Sequence, residues 1–293
     1  MAQIRAFFAE RGVLEVDVPL LGEAAATDPA LEPIAVEVDG ATLYLQTSPE
    51  HYLKRLLAQG VGPVYALTRA FRGGEHGARH RREFTLLEWY RPGWQEEALM
   101  AEVVELVERL AGRAIPVTTL DYGDAFAAAT GLDPHGAPLA LLAAAAAEVA
   151  GGDWAGEARS TLLELLFALR VEPRLPAGLA FVVSYPACQA ALARLERDAR
   201  GRTVARRFEL YWDGLELANG YYELADAAEQ AARFAADNAR RRALGKPEIP
   251  VDEQLLSALR AGLPDCSGVA LGVDRLLMRL FGAADLGEVI PFA

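Results

Sequence analysis

Hydrophobic and polar positions change their period several times along this chain of 293 residues, and each change predicts an element. Ile4, Phe7 and Phe8 recur at helical spacing up to Gly12, where a glycine cap is expected. Residues 13–18 then alternate apolar and acidic side chains, the two-residue period of a strand, until Pro19 ends the run. In residues 36–47 two alternating runs flank Asp39-Gly40, a pair suited to a tight hairpin turn whose central residues need positive φ. Ser48-Pro49-Glu50 has the order N-cap, first helical proline, first-turn acid, and predicts a helix ending near Gly60. Strands are expected at residues 64–71 and 84–90, then an amphipathic helix over 96–110. Residues 121–170, with the alanine-rich stretch 143–147, read as helical, an inserted layer in an otherwise single domain spanning residues 1–293. Residues 179–184 form a short buried strand, and 208–224 a second hairpin about Asp213-Gly214. At the end, residues 269–271 make an apolar strand, Gly272 permits close backbone approach, and a helix over 273–281 runs to a cap at Gly282.

Composition adds bounds to that outline. With 52% hydrophobic and 24% charged residues the chain suits one large core or two modest ones. Its net charge of −12 is the reverse of what gripping a long polyanion requires, which counts against tRNA as an obligatory partner. Cys188 and Cys266 lie far apart without a ligand pattern around them, so neither a disulfide framework nor a zinc site is implied. No segment has the apolar length that crosses a bilayer, and the start, with Arg5, Glu10 and Arg11 on a helical pattern, lacks the form of a signal peptide. A cytoplasmic protein that engages no membrane is expected.

Three segments carry chemistry. Residues 71–90 set Arg72, then Gly73, Gly74 and Gly77, then Arg79, His80, Arg81 and Arg82, then Phe84, Glu88 and Tyr90 around a strand pair. Arginine makes planar, permanently charged contacts to phosphate oxygens, and a ring such as Phe84 offers a face for a purine; an exposed hairpin with its cations in water is the plainer alternative. In the second hairpin Tyr211 falls opposite Glu216 and Trp212 opposite Leu215, which makes Glu209 and Glu216 diagonal neighbours, about 7 to 8 Å apart between Cα atoms. Two carboxylates so placed suit Mg²⁺ beside a triphosphate, unless they form an outward acidic strand face. Asn219 and Glu223 add polarity just beyond. In the third segment Arg275 sits in the first turn of its helix, where a cation opposes the dipole unless an anion shares the site; pairing with a neighbouring acid on a core helix is the other possibility.

Together with the helix and strand that end at Pro19, these segments resemble the class II aminoacyl-tRNA synthetases over nearly the whole chain: motif 1 is that helix and strand, motif 2 begins at Phe71-Arg72, and motif 3 is GVALGVDR, ending at Arg275. Thr47 to Glu50 (TSPE), EFTLLEWY from Glu83 and ELANGYYEL from Glu216 resemble the lysyl branch. No anticodon-binding barrel is expected ahead of motif 1. With LEWYRPG and PDCSGVALGVDRLL, that is similar to bacterial lysyl-tRNA synthetase paralogues that use ATP to attach β-lysine to a lysine of elongation factor P. The resemblance implies an α+β fold, a mainly antiparallel sheet flanked by helices, in a homodimer.

It also implies roles. Arg72 would meet the α-phosphate and the substrate carboxylate, Phe84 would stack on adenine, and Arg275 would lie on the other side of the base near the terminal phosphates. Gly73, Gly74, Glu75, His80, Arg81, Leu210 and Gly272 would complete the ATP site, with Glu209 and Glu216 holding Mg²⁺. Ser48, Pro49, Glu50, Glu88, Tyr90, Glu216, Asn219, Glu223 and Ala270 would form the amino-acid pocket, its acids suiting a substrate with two ammonium groups. Two departures stand out: His80-Arg81-Arg82-Glu83-Phe84 replaces the family's His-Asn-Pro-Glu-Phe, and Gly73-Gly74 replaces a more usual polar pair, with Glu75 expected to supply the carboxylate. Ala270 stands where lysyl-tRNA synthetases have glycine, which favours β-lysine over α-lysine. The same activation chemistry could instead charge tRNA or make a free adenylate, and a catalytically idle relative that only binds is a third reading.

Overall fold

The computed structural model describes residues 1–74 and 76–291; Glu75 lies outside the described residues. In chain order the elements are α1 (Ala2–Glu10), β1 (Leu14–Glu15), β2 (Leu21–Gly22), β3 (Ile34–Val38), β4 (Ala41–Leu45), α2 (Glu50–Ala58), β5 (Val64–Phe71), β6 (Glu83–Pro92), α3 (Glu96–Ala111), β7 (Val117–Asp121), α4 (Tyr122–Thr130), α5 (Leu139–Ala150), α6 (Arg159–Leu166), β8 (Leu179–Pro186), β9 (Leu195–Arg197), β10 (Thr203–Trp212), β11 (Leu215–Tyr222), α7 (Ala227–Ala243), α8 (Glu253–Gly262), β12 (Cys266–Gly272) and α9 (Val273–Phe281). They divide into two compact units, residues 1–113 with 223–293, and residues 114–222. Mainly antiparallel strands flanked by helices are what the sequence led one to expect.

In the first unit the strand order is β1-β5-β6-β12, with β1 parallel to β5 and the remaining pairs antiparallel. Strand alternation gives this sheet two unlike faces. One bears Tyr65, Leu87, Trp89, Val269 and Leu271, all buried. Phe8 of α1 stacks on Tyr65 with ring centroids 4.4 Å apart and meets Trp89 edge-on at 5.3 Å. Burying such side chains is worth roughly 1.5–3 kcal/mol each, which makes this face the anchor of the unit. The opposite face is built from small residues: Ala66 and Ala70 of β5, Gly268, Ala270 and Gly272 of β12, with Leu86, Glu88 and Tyr90 of β6 between them. Helix α2 packs against β5 and β6, and its Lys54 and Glu50 belong to the same cluster as Glu88.

Two local expectations need correction. The alternation after α1 runs to Val18, but the strand is only Leu14–Glu15; its ladder ends with Val16 N donating to Tyr65 O at 2.9 Å, shortly before Pro19, which has no N–H to continue it. Helix α2 begins at Glu50 with Pro49 as the N-cap residue, one position later than the motif suggests, and Ser48 Oγ accepts from Glu50 N at 3.4 Å. Both hairpin turns form as expected, with positive φ at Asp39 and Gly40 and at Asp213 and Gly214.

The second unit has the order β7-β8-β10-β11, with β7 parallel to β8, the rest antiparallel, and β9 pairing the start of β10. The helical stretch α4–α6 forms a buried cluster in which Tyr122, Phe126, Leu142, Leu162, Leu163 and Phe167 pack with Ala180, Val182, Tyr185 and Tyr211 of the strands. That layer roofs the strand face carrying Glu209, since Glu209 lies opposite Val182 and Tyr211 opposite Ala180.

Candidate active site

In the first unit, four acids and bases from three parts of the chain converge on the small-residue face. The helical spacing of Glu50 and Lys54 puts both on one side of α2, and Lys54 Nζ stands 2.6 Å from Glu50 Oε1. The same ammonium is 2.6 Å from Glu223 Oε2, and Lys54 is only 2% exposed. Glu223 Oε1 is buried and has no hydrogen-bond partner among the described residues. Glu88, also buried, accepts from the Tyr90 hydroxyl at 2.7 Å.

Register explains how these groups fit. Glu88 lies between Ala66 of β5 and Ala270 of β12, and Tyr90 between Val64 and Gly268. A Cβ on Gly268 would overlap the Tyr90 ring and come within 2.6 Å of Glu223 Oε1, so glycine there is a steric requirement of the cluster. The Ala270 methyl sits directly across from Glu88.

The electrostatics follow from burial. Desolvation pushes Glu88 well above the usual carboxylate range, Glu50 adds to the rise, and the Tyr90 hydrogen bond and Lys54 only partly oppose it. Glu223 is pushed up to about 7 by burial, with Lys54 pulling down and Glu50 pushing up. Burial alone would lower Lys54, yet the two carboxylates against it hold its pKa above the ordinary lysine value. An added ammonium would therefore meet an unsatisfied carboxylate oxygen and a Glu88 poised to give up a proton.

Close by in the same unit, the Arg72 guanidinium lies 5.0 Å over the Phe84 ring, and Arg72 Nε donates to Thr47 O at 3.4 Å. Arg275, in the first turn of α9, has a guanidinium nitrogen 2.6 Å from His80 Nε2, and its Nε donates to Arg79 O at 3.2 Å. The neighbouring Asp274 carboxylate takes Thr85 N at 2.6 Å, which ties the start of α9 to β6. Gly272 pairs with Leu86 in that ladder. Gly73 N donates to Glu32 O at 2.6 Å, and Gly74 has φ 76°. Arg81 pairs with Asp285 at 3.0 Å and also donates to Gly77 O. Where the family motif has a stiffening proline, this loop is braced by an ion pair to the segment after α9.

The second unit holds the remaining candidates. The turn-proximal pairs Tyr211 with Glu216 and Trp212 with Leu215 form as expected, but an irregularity between Leu210 and Tyr211 then shifts the ladder, so that Glu209 lies opposite Asn219. Glu209 is ion-paired with Arg207 and accepts from the Tyr211 hydroxyl at 2.5 Å. Arg207 Nε donates to Asn219 Oδ1 at 3.2 Å, and Asn219 Nδ2 to the Tyr221 oxygen at 3.0 Å. Leu210 is fully buried and pairs with Phe181 and Ala218, which leaves only its backbone to meet a ligand. Glu216 faces Tyr211, whose pKa burial raises first and the charges of Glu209 and Glu216 raise further. Hard carboxylate oxygens on adjoining strands are the donor type that Mg²⁺ takes.

Two residues of the acidic cluster were not singled out by sequence reasoning. Lys54 sits four residues after Glu50, a spacing that normally signals a surface ion pair, and only burial distinguishes it. Gly268 lies in a strand, where glycine often marks close approach by another group.

The chain matches the model of the class II tRNA synthetases (D, K and N) over residues 1–293. It is 48% identical over 301 aligned positions to the elongation factor P–(R)-β-lysine ligases of Salmonella paratyphi B, Salmonella heidelberg and Salmonella typhi, covering all of this chain and 92% of each relative.

Proposed function

Since the chain belongs to the class II tRNA synthetases of the D, K and N type, we propose that it uses ATP to activate (R)-β-lysine and transfers the β-lysyl group to a lysine side chain of elongation factor P. The observation that carries this reading is the cluster of half-buried Glu50 with buried Glu88 and Glu223 around a single lysine, Glu223 Oε1 without a hydrogen-bond partner among the described residues, and the Arg72–Phe84 pair in the same unit.

In this reading the amines of β-lysine are held by Glu50, Glu88, Tyr90 and Glu223, over a floor narrowed by the Ala270 methyl, with Ser48 and Pro49 shaping the entry to α2. Its carboxylate attacks the α-phosphorus of ATP; a P–O bond to the acid forms, the bond to the bridging oxygen breaks, and pyrophosphate leaves with that electron pair. The ε-amine of the acceptor lysine then attacks the acyl carbon, AMP departs, and the ammonium proton passes to solvent. Neither step needs a protein nucleophile, so the work falls to positioning and charge stabilisation. Arg72 would meet the α-phosphate, Phe84 would carry the adenine, and Arg275 with His80 would face the terminal phosphates. Glu209 and Glu216 would hold Mg²⁺, which when bound neutralises phosphate charge. Among the described residues no helix is long and apolar enough to cross a membrane. In this reading the enzyme works in the cytoplasm, beside the translation factor it modifies, as a homodimer joined through the motif 1 elements α1 and β1.

Charging of tRNA would use the same first step, but the net charge of −12 disfavours a partner bound through its phosphates. The test is mass spectrometry of purified elongation factor P after incubation with this protein, ATP and β-lysine. A gain of one β-lysyl group is expected. An unchanged mass, with an acceptor known to be competent, would defeat the proposal.

A further inference from the structure

Building on that reading, we propose that Lys54 is a positioning residue that sets the specificity of the amino-acid pocket. Its buried ammonium clamps Glu50 and Glu223 and cancels one of three carboxylate charges, so that the pocket is matched to a substrate bearing two ammonium groups.

The charge count is direct. Glu50, Glu88 and Glu223 contribute three negative charges when ionised and Lys54 one positive, a net of −2; Glu50, Glu223 and Lys54 all act on Glu88. Without Lys54 the same three acids would face one another in a buried place, where like charges cannot all stay ionised. Lys54 spends its contacts on Glu50 Oε1 and Glu223 Oε2, both at 2.6 Å, which leaves Glu223 Oε1 and the Glu88 carboxyl as the receptors for an incoming amine. Both Lys54-bound acids are thereby fixed in direction, one from the first turn of α2 and one from the residue after β11.

Among the described residues no other charged partner competes for that role. The adjoining pair on this helix, His51 with Asp252, the N-cap of α8, at 3.2 Å, is satisfied within itself, and the groups acting on Lys54 are Glu223 and Glu50. A helix-surface Glu–Lys pair contributes little and tolerates substitution. A lysine that is 2% exposed and wedged between two acids is in another regime, because removing it leaves uncompensated charge in the interior.

The experiment compares the wild-type protein with Lys54→Met and Lys54→Arg. Pyrophosphate exchange is followed with (R)-β-lysine and ATP, and binding of β-lysine is followed by calorimetry in two buffers of different ionisation heat. Lys54→Met is expected to raise KM for β-lysine about a hundredfold or more while KM for ATP moves little. It should also increase the number of protons released as β-lysine binds, because a surplus acid must now carry a proton in the empty pocket. Lys54→Arg restores the charge and should recover part of the affinity and the wild-type proton count. A Lys54→Met protein with an unchanged KM and proton count would overturn the inference. So would an arginine variant that folds, by its thermal transition, yet behaves no better than methionine. If methionine does not fold, the arginine variant and the wild-type proton count carry the test: release of no proton by the wild-type protein contradicts a pocket whose surplus acid gives one up. Wild-type protein that binds β-lysine but exchanges no pyrophosphate would remove the functional reading alone and leave the role of Lys54 to the binding data.

Discussion

Buried carboxylates occur in both units, but they are balanced differently. In the second unit Glu209 is paired with the Arg207 guanidinium and accepts from the Tyr211 hydroxyl, and Arg207 in turn holds Asn219. In the first unit Glu50, Glu88 and Glu223 share a single ammonium, and one carboxylate oxygen is left over. In the first arrangement the protein itself already supplies a counter-charge, and the Mg²⁺ proposed for Glu209 and Glu216 would be added only together with phosphate. The second is short of positive charge, and a low-dielectric interior makes that shortage expensive unless protons or a ligand supply it. The difference teaches that a ligand's charge can be read from what an empty cluster lacks, more surely than from the residue types it contains.

The comparison breaks most visibly by removing the cation from the balanced cluster. Arg207→Met should leave Glu209 buried beside three tyrosines, and a loss of about 3 kcal/mol is expected, since one partner of a buried pair has gone. Urea denaturation measures it. A stability within error of wild type would show that Glu209 does not depend on Arg207, and the contrast between the units would disappear.

Gly268→Ala comes next. Its Cβ would overlap the Tyr90 ring and crowd Glu223 Oε1, and a strand paired along its length has little freedom to move away. Overpacking of this kind costs typically about 1–3 kcal/mol, and displacement of Tyr90 should weaken β-lysine binding more than ATP binding. Separate titrations of the two ligands decide the point; equal losses for both would argue against Gly268 as a wall of the amine site.

Glu88→Gln should be nearly silent in stability, within about 0.5 kcal/mol, because the carboxyl it replaces is already held protonated by burial. Binding of β-lysine should nevertheless fall, since an amide cannot become the counter-ion of an ammonium. A destabilisation as large as that of Arg207→Met would mean that Glu88 is needed as a charge in the empty protein, and the surplus would be illusory.

Much of this was legible before the structure. Period changes located both tight hairpins and the helix that begins α9, because Asp-Gly turns and glycine caps are local chemistry. The order of Arg72, Glu209, Glu216 and Arg275 along the chain carried the family. What was not legible depends on packing. The extent of β1, the one-residue slip that sets Glu209 opposite Asn219, and the burial of Lys54 are decided by neighbours far away in sequence. Lys54 shows the limit most clearly: its spacing from Glu50 is the commonest solvent-exposed pattern on helices, and only the converging Glu223 makes it an interior group. Arg81 shows the reverse, an apparent loss of a motif residue that the fold turns into a brace to Asp285.

The most direct measure of the surplus lies in the pH dependence of stability. Glu223 is raised to about 7 by burial and by Glu50, against the pull of Lys54, and Glu88 is raised well above the usual carboxylate range by burial, by Glu50 and by Glu223. An unfolded glutamate titrates near 4.3, so between roughly that value and 7 the folded chain keeps protons that the unfolded chain has released. Stability of the empty protein should therefore fall as pH rises through this interval. Lys54 does not reverse the slope: its pKa is raised above the ordinary lysine value, so its contribution is full across the interval and fades only in strong alkali. A bound diammonium favours the ionised carboxylates, so stabilisation by β-lysine should grow over the same range. Thermal melting from about pH 5 to about pH 8, with and without β-lysine, should show the two curves diverging as pH rises, by several degrees. In Glu88→Gln the empty-protein slope should be shallower. Curves that run parallel, or converge toward higher pH, would mean that the acids of the first unit are already neutralised within the protein and that no cation is missing.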